Sequence, residues 1–229
     1  MMNKMEETKK GVILFHEVLK DLKIPHTIIG FWEEATEVKD NYKPNYAHVI
    51  HSFSDSLYQH HGAKIMQLEA QEDNRDGFSI RTAAAELEAR NEKNRFLLVF
   101  SDGQPAASDY TDNGIIDTTK AVFETRRKNI DVIGMFLAEG DISEQDDTLM
   151  RNIYGRERIM VPTATQLPEH FSPLLKNCSS KPSKKGGGTR GRLLVPVAAA
   201  KCEMSDRAER PLPCPSGHPD RAPPIRENG

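Results

Sequence analysis

Two apolar runs separated by one amphipathic stretch constrain this chain more than any other feature: Phe96 to Phe100 (FLLVF) and Ile130 to Ala138 (IDVIGMFLA). Neither alternates cleanly between apolar and polar, so each reads as a strand covered on both faces. Between them Ile115, Ile116, Thr119, Val122 and Phe123 recur at helical spacing. Arg126, Arg127 and Lys128 follow, cations suited to the negative end of a helix dipole. A strand, a crossover helix and a second buried strand give parallel neighbours with a right-handed connection.

The flanking segments extend that pattern. From Glu6 to Lys23, Val12, Phe15, Leu19 and Leu22 recur at helical spacing, and Leu14 and Val18 widen the stripe until little of the circumference is polar, as in a mostly buried helix. Ile24-Pro25 ends it. His26 to Trp32 (HTIIGFW) reads as a buried strand and Ala47 to Phe53 (AHVIHSF) as an edge strand, while Asp55 to Glu69 fits a helix or an irregular excursion equally. In Gly77 to Arg90, Ile80, Ala83, Ala84 and Leu87 form a docking face, with Arg81, Glu86 and Glu88 left in water. Ser143 to Tyr154 is a helix with Ser143 as N-cap, Ile159 to Pro162 a short strand, and Gln166 to Leu175 a last helix.

Charge separates this body from the rest of the chain. Residues 1–175 hold 20 Lys+Arg and 29 Asp+Glu, and 176–229 hold 11 and 5, so the net charge of -3 describes neither part. Lys181 to Arg192 (KPSKKGGGTRGR) reads as a basic linker, and six prolines between Pro211 and Pro224 oppose a packed core, so 176–229 is expected to be disordered. Its basic residues have no interleaved aromatics, which favours a solvated linker over a specific nucleic-acid surface. All three cysteines, Cys178, Cys202 and Cys214, lie there, an odd count that suits a reducing, cytoplasmic setting. With His218 they lack zinc-site spacing. Gly186 to Gly188 neither follows a strand nor opens a helix, which argues against a phosphate loop. No apolar run is long enough to span a membrane. The start, MMNKMEETKK, is charged, and GVILF is too short for the core of a secretory signal.

In a doubly wound parallel sheet, ligands bind beyond the carboxyl ends of the strands. Asp102 follows FLLVF directly, in Ser101-Asp102-Gly103, where a carboxylate can face a hard cation; as an isolated signal an Asp-Gly turn is the better reading. Asp76, in Asp73-Asn74-Arg75-Asp76-Gly77, precedes a helix and taken alone reads best as its N-cap. Both loops fall on one edge of the expected sheet. His48, His51, His60 and His61 lie in a polar stretch and read as surface histidines. No Ser/His/Asp or Cys/His set is recognisable.

The series HEVLKDLKIPHTIIGF, NRDGFSIRTAAAEL, FLLVFSDGQP and DTTKAVFETRRKNIDVIGMFL resembles a von Willebrand factor A domain over about residues 5–175. The likeness is greatest to the branch of CobT-type cobaltochelatase subunits and NorD-type nitric oxide reductase activation proteins. The resemblance implies a Rossmann-like, doubly wound, mostly parallel α/β sheet. It also implies a metal-ion-dependent adhesion site for Mg²⁺ in which Asp102 supplies the third-loop ligand and Asp76 the second, with Gln104 and Asp109 on the partner-binding rim. The family's first-loop motif, Asp-x-Ser-x-Ser, has no counterpart in residues 1–10, so the expected fold lacks its first, central strand and the Mg²⁺ site is incomplete. The implied role is a cytoplasmic, non-catalytic adaptor for an AAA+ ATPase, acting in metal insertion for cobalamin synthesis or in metalloenzyme activation on a target metalloenzyme or chelatase subunit. A metal-assisted hydrolase on a similar sheet, and a metal-free adaptor or inactive fragment, are the rival readings.

Overall fold

A computed structural model describes residues 2–34, 43–56, 61–69, 73–101, 105, 113–138 and 140–170, and the backbone of 193–200 and 210–211. The elements in chain order are α1 (Met2–Asp21), β1 (His26–Glu33), β2 (Asn45–His51), α2 (Gly62–Met66), α3 (Asp76–Glu88), β3 (Asn94–Ser101), α4 (Asn113–Arg127), β4 (Ile130–Leu137), α5 (Glu144–Tyr154), β5 (Arg158–Val161), β6 (Leu193–Ala200) and β7 (Arg210–Pro211). The strands form one sheet in the order β5-β4-β3-β6-β1-β2-β7. From β5 to β1 every neighbour is parallel, and β2 and β7 add antiparallel pairings at one edge. No helix among the described residues is long and apolar enough to cross a membrane.

Side-chain alternation along β3 and β4 divides the core into two layers. Phe96, Leu98 and Phe100 of β3, with Ile133, Met135 and Leu137 of β4, pack on one face with Val12, Phe15 and Leu19 of α1. Leu97 and Val99, with Val132 and Phe136, pack on the other face with α3, α4 and α5. A strand buried on both sides needs apolar residues at successive positions, which is why these runs do not alternate in the sequence. All eight residues of β1 are buried for the same reason.

The turn after α1 is specific. Ile24 N donates to Leu19 O (2.8 Å) and Lys23 N to Lys20 O (2.9 Å), with Lys23 at φ 55°. This pair of bonds around a left-handed residue is a Schellman motif, with lysine where glycine is preferred. It reverses the chain within a few residues and starts β1 at His26.

Two expected helix surfaces are corrected. In α4 the buried residues are Gly114, Thr118, Ala121, Val122 and Thr125, whereas Ile116 and Phe123 are 64% and 62% exposed. Small residues face inward because α3 and α4 approach closely: a Cβ on Gly77 would lie 2.1 Å from Asp117 Oδ2. Arg81 is not simply in water either. It bridges the two helices, donating to Asp117 (2.8 and 3.2 Å) and to Glu124 (2.8 Å). Ser143 is the N-cap of α5 as expected, its Oγ accepting from Asp146 N at 3.1 Å. The expected last helix opens as a 3-10 turn, Ala164–Gln166, continuing helically through 167–170; residues 171–175 lie outside the described range.

Most of 176–229 also lies outside the described residues, but two segments of it belong to the sheet. β6 runs between β1 and β3, parallel to both, so the central position that the sequence pattern leaves without a strand is filled from the far end of the chain. The β3 register pairs Arg95 with Leu194 and resumes at Leu98 with Val197, an interruption that spans Pro196. Proline lacks the N–H that a central strand would donate, which accounts for a gap there.

Candidate functional site

The carboxyl ends of β1 and β3 share one edge of the sheet. β1 ends in Glu33, which is 1% exposed, and β3 in Ser101, 4% exposed. Glu33 N donates to Asp73 O (2.9 Å), which draws the segment before α3 to this edge. Arg75 then grips Glu33 with two bonds, Nε to Oε1 at 2.8 Å and Nη2 to Oε2 at 3.2 Å. A bidentate pair with one buried partner fixes orientation as well as charge.

That grip places Asn74 and Asp76 inside the protein, 0% and 1% exposed. Asn74 Nδ2 donates to Asp76 Oδ1 at 2.6 Å. The expected N-cap role of Asp76 is corrected: Arg75 occupies the N-cap position and makes no side-chain capping bond, and Asp76 is the first residue of α3. There its negative charge faces the positive end of the helix dipole, which stabilises a buried carboxylate. Gly77 comes next because its missing side chain leaves room for Asp117.

Asp102, Gln104 and Asp109 lie outside the described residues. Ser101, the last residue of β3, lies at the edge that holds Asp76 and immediately precedes Asp102 in the sequence. The donors brought here are a carboxylate and a hydroxyl, both hard oxygen groups. Mg²⁺ is held through one or two such carboxylates with water completing the sphere, so the residues fit this ion in kind. Glu33, Asn74 and Arg75 emerge only from the structure. Their signal in the sequence is one short polar run, Asp73 to Asp76, joined to a glutamate that ends an apolar strand.

The expectation of surface histidines is corrected at the other edge. His51 and His61 are 1% and 3% exposed, and beside them lie His16 and His26, both 0% exposed. His48 is half-buried, and His60 lies outside the described residues. Burial pushes the His26 and His51 imidazoles down to about 4, and neighbouring histidines add to the effect. His61 is lowered in the same direction by burial. The sequence signal for these residues is a histidine interrupting each of several apolar segments.

Fold and edge together define an α/β protein whose mostly parallel sheet carries buried polar groups beyond its carboxyl ends. The chain is 46% identical over 181 residues to a Bacillus subtilis (strain 168) protein described as uncharacterized protein YojO. The match takes in 79% of this chain and 28% of that protein, so the chain spans less than a third of its relative's length. No protein-family model and no solved structure matches the chain.

Proposed function

We propose that this chain is a protein-binding module of von Willebrand A type, non-catalytic, that acts in the cytoplasm as the adaptor of an AAA+ ATPase in metal insertion of the cobaltochelatase kind or in metalloenzyme activation. The observation that carries the reading is the buried Asn74–Asp76 pair, held by Glu33 and Arg75 at the sheet edge that also receives the end of β3. Burying a carboxylate is costly unless polar partners or a cation compensate it, so such a group at a ligand-binding edge favours a site over an incidental turn. Asp76 and Asp102 would hold Mg²⁺, with Gln104 and Asp109 on the rim. When bound, the ion would offer an open coordination position to a carboxylate of the partner.

Calorimetric titration with Mg²⁺ alone tests the metal role: wild-type chain is expected to bind, and Asp102→Ala and Asp76→Asn to lose binding. Affinity for a purified AAA+ ATPase, measured in Mg²⁺ and again in EDTA, tests the adaptor role. An affinity unchanged by Asp102→Ala would remove the ion from the interaction. A metal-free adaptor is the second reading, favoured by Asn74, which already occupies one oxygen of Asp76. Silence in the Mg²⁺ titration together with retained ATPase binding would select it.

A further inference from the structure

Four histidines from four separate parts of the chain meet at the edge of the sheet opposite Asp76. His16 comes from α1, His26 opens β1, His51 closes the antiparallel β2, and His61 precedes α2. One ring nitrogen from each of His16, His26 and His51 lies within 4.8 Å of the others, and His51, Asp55 and His61 form a second such group sharing His51. Ring centroids are 4.6 Å apart for His26 and His51 and 4.9 Å for His51 and His61.

Histidine is polar and seldom gathered in a core, so each ring nitrogen needs a partner. His26 Nδ1 lies 2.9 Å from Ile24 O, which makes it the protonated nitrogen and leaves Nε2 with a lone pair directed inward, 2.8 Å from His16 Nδ1. A ring N–H donated to a backbone carbonyl, with the other nitrogen pointed at a common centre, is the arrangement that outer partners give to metal-bound histidine. On His51, Nδ1 lies 3.7 Å from Asp55 Oδ2, and neither ring nitrogen makes a hydrogen bond among the described residues. Asp55 is itself held by Ser52 N at 2.8 Å. A buried imidazole with two unsatisfied nitrogens is costly, and a cation at the shared centre removes that cost.

We propose that His16, His26 and His51 form the core of a structural site for one divalent transition-metal ion of the zinc class, with His61, which joins His51 in the second group, turning in as the fourth ligand and Asp55 orienting His51 from outside. Imidazole donors without thiolate suit such ions rather than Mg²⁺ or Ca²⁺, and four protein ligands buried from water make a closed site. Ligand nitrogens around tetrahedral zinc stand ~3.3 Å apart. The His16–His26 separation of 2.8 Å therefore opens by about half an ångström on binding, within reach of side-chain torsions. The ion ties α1 and α2 to the β1–β2 pair. The site lies at the opposite edge from Asp76, so it stands or falls independently of the adaptor reading.

The test is titration of the full chain, stripped of metal, with Zn²⁺ alone. Cys178, Cys202 and Cys214 are replaced by serine so that the tail thiols contribute nothing. One equivalent per chain is expected, with sub-micromolar affinity and a raised Tm. Co²⁺ should give the visible absorption of four nitrogen donors without a thiolate charge-transfer band. His51→Ala and His26→Gln should each weaken binding at least about 100-fold. Histidine side-chain NMR of the serine variant covers the case in which these substitutions unfold the protein, since Zn²⁺ should then shift the resonances of the buried histidines. A folded chain that binds no Zn²⁺, variants that retain its affinity, or shifts confined to other histidines would overturn the proposal.

Discussion

Gly134, in the middle of β4, is where α5 touches the sheet: a Cβ there would lie 2.3 Å from the ring of Tyr154. Tyr154 is fully buried, so its ring has nowhere to retreat. Gly134→Ala is expected to destabilise the fold by about 1–3 kcal/mol, the usual range for overpacking, as a lowered midpoint in urea unfolding. A midpoint unchanged within error would show that α5 yields more easily than this packing implies. The histidines make a second prediction at this scale. His26 and His51 sit near 4 in the folded protein against 6.5 for an ordinary imidazole, so the unfolded chain binds protons first as pH falls. The neutral form's contribution to stability is therefore complete above about pH 6.5 and is lost as pH falls toward 4, by up to about 3 kcal/mol for one such group acting alone. The groups facing them are His16, His61 and Asp55, with Lys64 beside His61, and only Asp55 favours protonation of His51. Urea midpoints of metal-stripped protein should fall between pH 7 and pH 4.5, and a flat profile over that window would contradict the burial of these rings.

Elements, unlike faces, could largely be read from the chain. β3, β4 and α3 follow their expected spans within a few residues, because long apolar runs and a regular i, i+3, i+4 stripe survive tertiary packing. The inward face of α4 could not, because large apolar residues are the obvious candidates for burial. Close packing against α3 instead demands small ones, which leaves Ile116 and Phe123 outside. Arg126 likewise does more than face a dipole: its Nη2 donates to Val132 O (2.7 Å) and Tyr154 O (2.8 Å), fastening α4 to β4 and α5. The candidate sites divide in the same way. Asp76 is visible in an Asp-Gly turn, whereas the histidine group is assembled from positions 16, 26, 51 and 61, none conspicuous alone. The turn that aligns it carries its own prediction. Lys23 holds a left-handed conformation that costs a residue with a Cβ roughly 1 kcal/mol, so Lys23→Gly should stabilise the protein by about 0.5–1 kcal/mol despite the greater freedom of the unfolded chain. Thermal unfolding would register this as a raised Tm. A lowered Tm would mean that the lysine side chain contributes more than its backbone strain costs.

For the molecule as a whole, the informative strand is the one whose sequence resembles a strand least. Leu193–Ala200 contains a proline and three consecutive alanines and comes after a Gly-rich basic linker, all of which argue against a central sheet position. It occupies that position because β1 and β3 are each buried on both faces and each need a neighbour on their inner edge. An unpaired edge between two apolar strands in the middle of a sheet would expose backbone donors and acceptors together with core side chains, the combination that drives strands of different molecules to pair. The acidic body and the basic tail are thus joined through the sheet. A chain ending at residue 175 should accordingly lose the cooperative urea transition of the full chain and aggregate, seen as a broadened circular dichroism transition and early elution in size exclusion. Val197→Pro in the full chain, which places a second proline beside Pro196 within the strand paired to Ile28 and Leu98, should lower the urea midpoint without altering the charge. If 1–175 unfolds with the full chain's midpoint and elutes as a monomer, β1 and β3 close the sheet without β6, and the tail strand contributes nothing to the stability of the body.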